Sequence, residues 1–131
     1  MSKIDDSEEV QFRQIHPSWM EDGDPTRQAF APSTKDEGCL SLDRSLAINP
    51  RQSFENYTSL GLRSEAVYGI KIGEFEAHPH PIPCHASPID DADQKNPHHS
   101  HADFNSLTKV QRKAKITELR RAALGRGKLH P

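Results

Sequence analysis

At 131 residues, 33% of them hydrophobic and with a net charge of −2, the chain has the length for one domain with a small core and is too short for two. No apolar run approaches the roughly 18 residues of a membrane span, and Met-Ser-Lys-Ile-Asp-Asp at the start lacks the apolar core of a secretory signal. Two cysteines, Cys39 and Cys84, do not make a disulfide scaffold, so the expectation is a soluble cytoplasmic protein with free thiols and no membrane partner.

Residues 1–9 are acidic and poor in apolar side chains and read as a disordered tail. Val10 to Ile15 opens with alternating apolar and polar residues and predicts a strand with Val10 and Phe12 facing a core, closed by His16-Pro17. Turn chemistry follows at Glu21–Pro25 and again at Pro32–Gly38. Cys39 to Asp43 is a short strand with Leu40 and Leu42 on one face. Asn49-Pro50, with Gln52 three residues after the Asn, is a helix start, and Phe54, Tyr57 and Leu60 recur along that helix until Gly61 closes it.

Ala66 to Phe75 reads as the clearest strand, with Tyr68, Ile70 and Ile72 on one face and Gly69 and Gly73 on the other marking a close neighbour. The proline- and histidine-rich stretch 77–98 reads as an irregular connector. A last short strand is expected at His101–Phe104. The final helix runs from Thr108, which pairs with Gln111 as a cap, to a stop at Gly125, with Val110, Ala114, Leu119 and Ala123 as its apolar stripe. Residues 126–131 form a tail. This mixed order predicts a single α+β domain over 10–125: a small mixed or antiparallel sheet with one central and one C-terminal helix.

The charge is divided. From Lys109 onward eight Lys and Arg face one acid, a net of +7, while the first 108 residues carry a net of −9. Lys109, Arg112, Lys113 and Arg120 are therefore candidates for nucleic-acid contact through phosphates. The competing reading makes them, with Lys115 and Arg121, the solvated faces of an amphipathic helix, and no aromatic residue is there to stack on bases.

Six of the eight histidines lie between His78 and His101. Together with Cys84 they supply enough ligands for zinc, and His80, Cys84, His85 and His99 are the candidate set. The spacing contains no Cys-x-x-Cys pair, and alternate prolines turn neighbouring side chains apart. No Walker loop, nucleophile elbow or dinucleotide fingerprint occurs. Polar residues at strand ends suggest instead a cleft for an anionic ligand, formed by Arg13, His16, Asp43 and Arg44 with His99 nearby, in which Arg supplies a forked contact.

His16-Pro17, Gln28-Ala-Phe30, Leu40-Ser-Leu-Asp-Arg-Ser45 and Asn96-Pro-His-His99 resemble a pattern in a group of small uncharacterised bacterial proteins, over about Phe12 to Leu124. Thr26-Arg27 and Ser100-His101 depart from that pattern. The resemblance brings no established activity with it and makes His99 the motif histidine; the chain as a whole reads as a small bacterial accessory or binding protein with a partner protein encoded nearby. The order of a basic residue, an aromatic and a later acid also resembles compact ADP-ribosyltransferase and RES-type toxin domains. That second resemblance implies an NAD site at Arg13, Tyr57 and Glu74.

Overall fold

The computed structural model describes residues 2–131. The chain is α+β. In order it forms β1 (Ser2–Lys3), β2 (Val10–Ile15), a short hairpin of β3 (Met20–Glu21) and β4 (Asp24–Pro25), β5 (Cys39–Arg44), α1 (Pro50–Ser59), β6 (Ala66–Lys71) and the single-turn α2 (Ile72–Phe75). Then come β7 (Cys84–Ala86), a second small hairpin of β8 (Ile89–Asp90) and β9 (Lys95–Asn96), β10 (His99–Asp103) and α3 (Lys109–Arg126). The main sheet has the order β1-β7-β10-β5-β2-β6, with every neighbouring pair antiparallel.

Register divides the side chains between two faces. Ile15, Leu40, Leu42, Tyr68, Ile70, Cys84 and Ala102 point to the core face and cluster with Ile116, Leu119 and Ala123 of α3 and with Phe30, Phe75 and Phe104. The opposite face carries Phe12, Gln14, Asp43, His99 and His101, and α1 covers the part of it over β2 and β6. β2 keeps its expected limits, but Phe12 is buried on the α1 side and the core side takes Gln11, Arg13 and Ile15. A strand covered on both faces has no solvent side, so its alternation does not say which face is the core.

α1 begins as its sequence requires: Asn49 Oδ1 accepts from the Gln52 N–H, and Gln52 Oε1 accepts from the Asn49 N–H. The strand expected to reach Phe75 ends at Lys71, because the Glu74 carboxylate accepts from the Lys71 N–H and turns the chain into α2.

The expected disordered tail differs too. Met1 lies outside the described residues, but Ser2–Lys3 pairs with β7, the Ile4 N–H donates to Cys84 O, and Ile4 is buried. One buried isoleucine and the Lys3–Glu76 ion pair tie this acidic segment down. Nor is 77–98 irregular throughout, since β7 fills a place in the main sheet and both Ile82 and Cys84 are buried.

α3 runs past Gly125 and stops at Gly127, whose φ of 90° suits glycine. Its buried stripe is Lys115, Ile116, Leu119 and Ala123, while Val110 is 77% exposed. Lys115 is the correction that composition hides. Its side chain is wholly buried, and its ammonium donates to the carbonyls of Glu74 and Ala77 at the end of α2. Burial lowers its pKa, with Glu118 acting the other way.

The expected tail at 126–131 closes the far edge of the sheet. Leu129 N–H donates to Val67 O, Val67 N–H donates to His130 O, and Arg126 pairs with Glu74. Gly69 makes room for this: a Cβ there would lie 2.7 Å from both Leu129 Cδ1 and Val10 Cγ1. Gly69→Ala is expected to cost about 1–3 kcal/mol through overpacking, more than the roughly 0.4–1 kcal/mol that the stiffer unfolded chain returns. Urea denaturation checks this, and a Leu129→Ala background should absorb much of the loss.

Candidate functional site

β2 and β5 pair at only two positions, Gln11↔Arg44 and Phe12↔Asp43. Beyond them the strands separate, and Arg13 fills the opening by donating from Nε to Ala29 O (2.7 Å) and from Nη1 to Ser41 O (2.9 Å). On the α1 side of this opening lies a cleft of about 560 Å3. Its floor is Ser41 and Asp43 of β5 with His99 of β10, and its walls are Tyr57, Leu60 and Leu62 at the end of α1, Trp19, the 31–36 loop and the β8–β9 hairpin. A wider hollow of about 810 Å3 lies along the β3–β4 hairpin, between acidic Glu21, Asp22 and Asp24 and basic Arg27 and Arg120. It is shallow, and its Arg120 is already engaged with Pro25 O.

Asp43 is buried at the floor of the cleft. Its Oδ2 accepts from Ser53 Oγ (2.7 Å) and its Oδ1 from Asn96 Nδ2 (2.8 Å). Ser53 Oγ in turn accepts from Gln14 Nε2, and Gln14 Oε1 accepts from Ser64 Oγ. All these donors are neutral. Among the described residues no Lys, Arg or His forms an ion pair with Asp43.

Arg13 likewise forms no ion pair among the described residues. Beyond its two carbonyls it stacks over the Trp19 ring at 5.0 Å. Part of its surface stays open, yet enough protein encloses the guanidinium for burial to push it down to about 10, with Tyr57 and Asp36 pulling the other way. It is charged at neutral pH.

His99 faces Asp43 across the β5–β10 pair. Its Nδ1 lies 2.9 Å from Ser87 O. A carbonyl only accepts, so Nδ1 carries a proton, which in a neutral imidazole places the lone pair at Nε2. Burial, and Asp43 more weakly, raise the Tyr57 hydroxyl above its ordinary pKa. Cys39, which also lines the cleft, is held protonated by burial and by Asp103, Asp36 and Glu37, and makes a poor nucleophile.

Of the residues expected at an anionic cleft, Arg13, Asp43 and His99 thus meet. His16 and Arg44 do not line the cleft. His16 Nδ1 accepts from the Ser18 N–H and caps a short turn, and Arg44 points to the core face and grips Glu9 through Nε and Nη2. That pair holds the Glu9 carboxyl below its ordinary pKa. Tyr57 lines the cleft with Arg13, but Glu74 lies outside it, with both oxygens on Arg126.

The zinc set fails to converge. Cys84 enters the core while His85, next along the strand, points to the opposite face, and among the described residues no group of three His, Cys, Asp or Glu is placed to hold a metal. On α3, Arg120 donates to Pro25 O and Arg112 makes long contacts to Leu107 O and Asn105 Oδ1, which leaves Lys109 and Lys113 among the solvated cations.

Sequence reasoning missed Ser53, Gln14 and the hydrophobic wall of Trp19, Leu60 and Leu62. A serine at the fourth position of an amphipathic helix was the one available signal for Ser53. Comparison with protein families, with curated proteins and with solved structures finds no match.

Ser53→Ala leaves Asp43 Oδ2 without its donor and Gln14 without its acceptor, and is expected to destabilise the fold by about 1–3 kcal/mol in chemical denaturation. A pH effect is expected on the same sheet face. His101, whose ring lies 5.5 Å from that of His85, has a lowered pKa through burial first and then His85 and His99, with Asp103 opposing. The unfolded chain therefore binds this proton more readily. Stability is fully present above about pH 6.5 and is lost as pH falls through the lower folded value. His101→Gln should flatten that acid slope, as read by the melting temperature between pH 7 and pH 5.

Proposed function

We propose that this chain is a small binding module, an accessory to a partner protein, whose cleft takes a low-molecular-weight anionic ligand. The observation that carries the reading is Arg13: a guanidinium enclosed at the cleft wall with two carbonyls for partners and no carboxylate in an ion pair. Placing a charge away from water without a counter-ion is costly, and a ligand carboxylate or phosphate offsets that cost. The cleft's volume falls in the range of about 300–1,000 Å3 common for small-molecule sites, and its apolar wall beside a few polar groups is the usual composition.

An NAD-consuming transferase is the second reading, supported by Arg13 and Tyr57 sharing the cleft. In that reading the acid is Asp43, since Glu74 is committed to Arg126.

The test is a titration of the 15N-labelled protein with inorganic phosphate, a mononucleotide, NAD and a set of small carboxylates. Binding should move resonances of β5, the end of α1 and residues 87–99, and Tyr57→Ala should weaken it by about tenfold, equivalent to ~1.4 kcal/mol. If no anion moves those resonances, the binding reading falls. Nicotinamide release from NAD would promote the second reading over the first.

A further inference from the structure

Four charged side chains line the cleft, Arg13, Lys35, Asp36 and Asp43, and among the described residues neither Arg13 nor Asp43 forms an ion pair. Asp43 is a buried carboxylate served by the hydroxyl of Ser53 and the amide of Asn96, and neither of those neutralises it. Each carboxylate oxygen keeps a further lone pair, and the Nε2 lone pair of His99 stands on the facing strand in register with it. Acceptors grouped in this way suit an ammonium, which brings three N–H donors and a positive charge. Arg13 presents the reverse at the other end. It donates to Ser41 O, two residues before Asp43 on β5. Beside this axis stand Tyr57, Leu60 and Leu62, and the two leucines are among the few large hydrophobic side chains left exposed.

Resting on the reading of the cleft as an anion-binding site, we infer that its ligand is a zwitterion: an amino acid with an apolar side chain. The ammonium sits at Asp43 and His99, the carboxylate at Arg13, and the side chain lies against the Tyr57–Leu62 wall. A ligand with only a negative charge would leave Asp43 without a positive partner and bring a second anion into the same cleft. A ligand with both charges meets both deficits, and Arg13 and Asp43 line the same cleft.

The experiment is calorimetric or NMR titration of the full chain with the standard L-amino acids. For the tightest binder, the analogues lacking the amino group and lacking the carboxylate are then titrated. The zwitterion is expected to bind at least about tenfold more tightly than either analogue. Asp43→Asn should bring the amino acid and its des-amino analogue to within about threefold of each other, and His99→Gln should narrow the gap in the same direction if Asp43→Asn does not fold. A des-amino acid that binds wild type as tightly as its parent overturns the zwitterion while leaving the anionic cleft standing. If neither amino acids nor carboxylates nor phosphate bind, the cleft reading itself is lost.

Discussion

The Asp43 carboxylate is kept from water by two neutral donors that come from opposite sides of the cleft, Ser53 on α1 and Asn96 at the end of the β8–β9 hairpin. Through Ser53 the same chain of hydrogen bonds reaches Gln14 on β2 and Ser64 ahead of β6. One acid on a central strand therefore sets the height of the helix and of the hairpin above the sheet, and with them the width of the opening between. Because a buried polar group must be satisfied, each member constrains the others, and the cleft is shaped by this network as much as by hydrophobic packing.

A second network works on the core face, where Arg44 pairs with Glu9, Gln11 donates to Glu9, and Ser100 donates to Gln11. A third sits at the end of α3, where Arg126 holds Glu74 while Lys115 donates to the carbonyls beside it. These explain how a chain with so few hydrophobic residues closes a six-stranded sheet. Charged residues are placed inside and matched to carbonyls or carboxylates, so the apolar core need cover only the middle of one face. The division of charge along the sequence acquires a structural use as well, since several cations of the basic helix are tied to the body and are not offered to an external polyanion.

How much of this could be read in advance depended on the range of the interactions. α1 was legible because its cap and first turn lie within four residues of one another, and β2, β5 and the start of β6 because their apolar residues recur locally. The limits of α3 were nearly right, but its stripe was misphased: Lys115 looks like a solvent residue and becomes a core one only because two carbonyls of a distant turn stand ready to receive it. The ends were misread for a related reason. Ile4 and Leu129 are single apolar residues in polar company, and nothing near them in the chain shows the strand edge each one meets.

The candidate site divides in the same way. Sequence alone determined the inventory: an arginine on the first long strand, an aspartate and an arginine closing the second, and a histidine following Asn96-Pro97. It also showed that no Cys-x-x-Cys pair, Walker loop, nucleophile elbow or dinucleotide fingerprint was present. Only the tertiary structure decided that alternation on β5 turns Asp43 toward the cleft and Arg44 away from it, that His99 comes into register with Asp43, and that Glu74 belongs to Arg126. Strand periodicity separates adjacent side chains onto opposite faces, but which face becomes the cleft depends on where α1 and the hairpin dock. That choice is made by contacts between residues 10 and 53 positions apart.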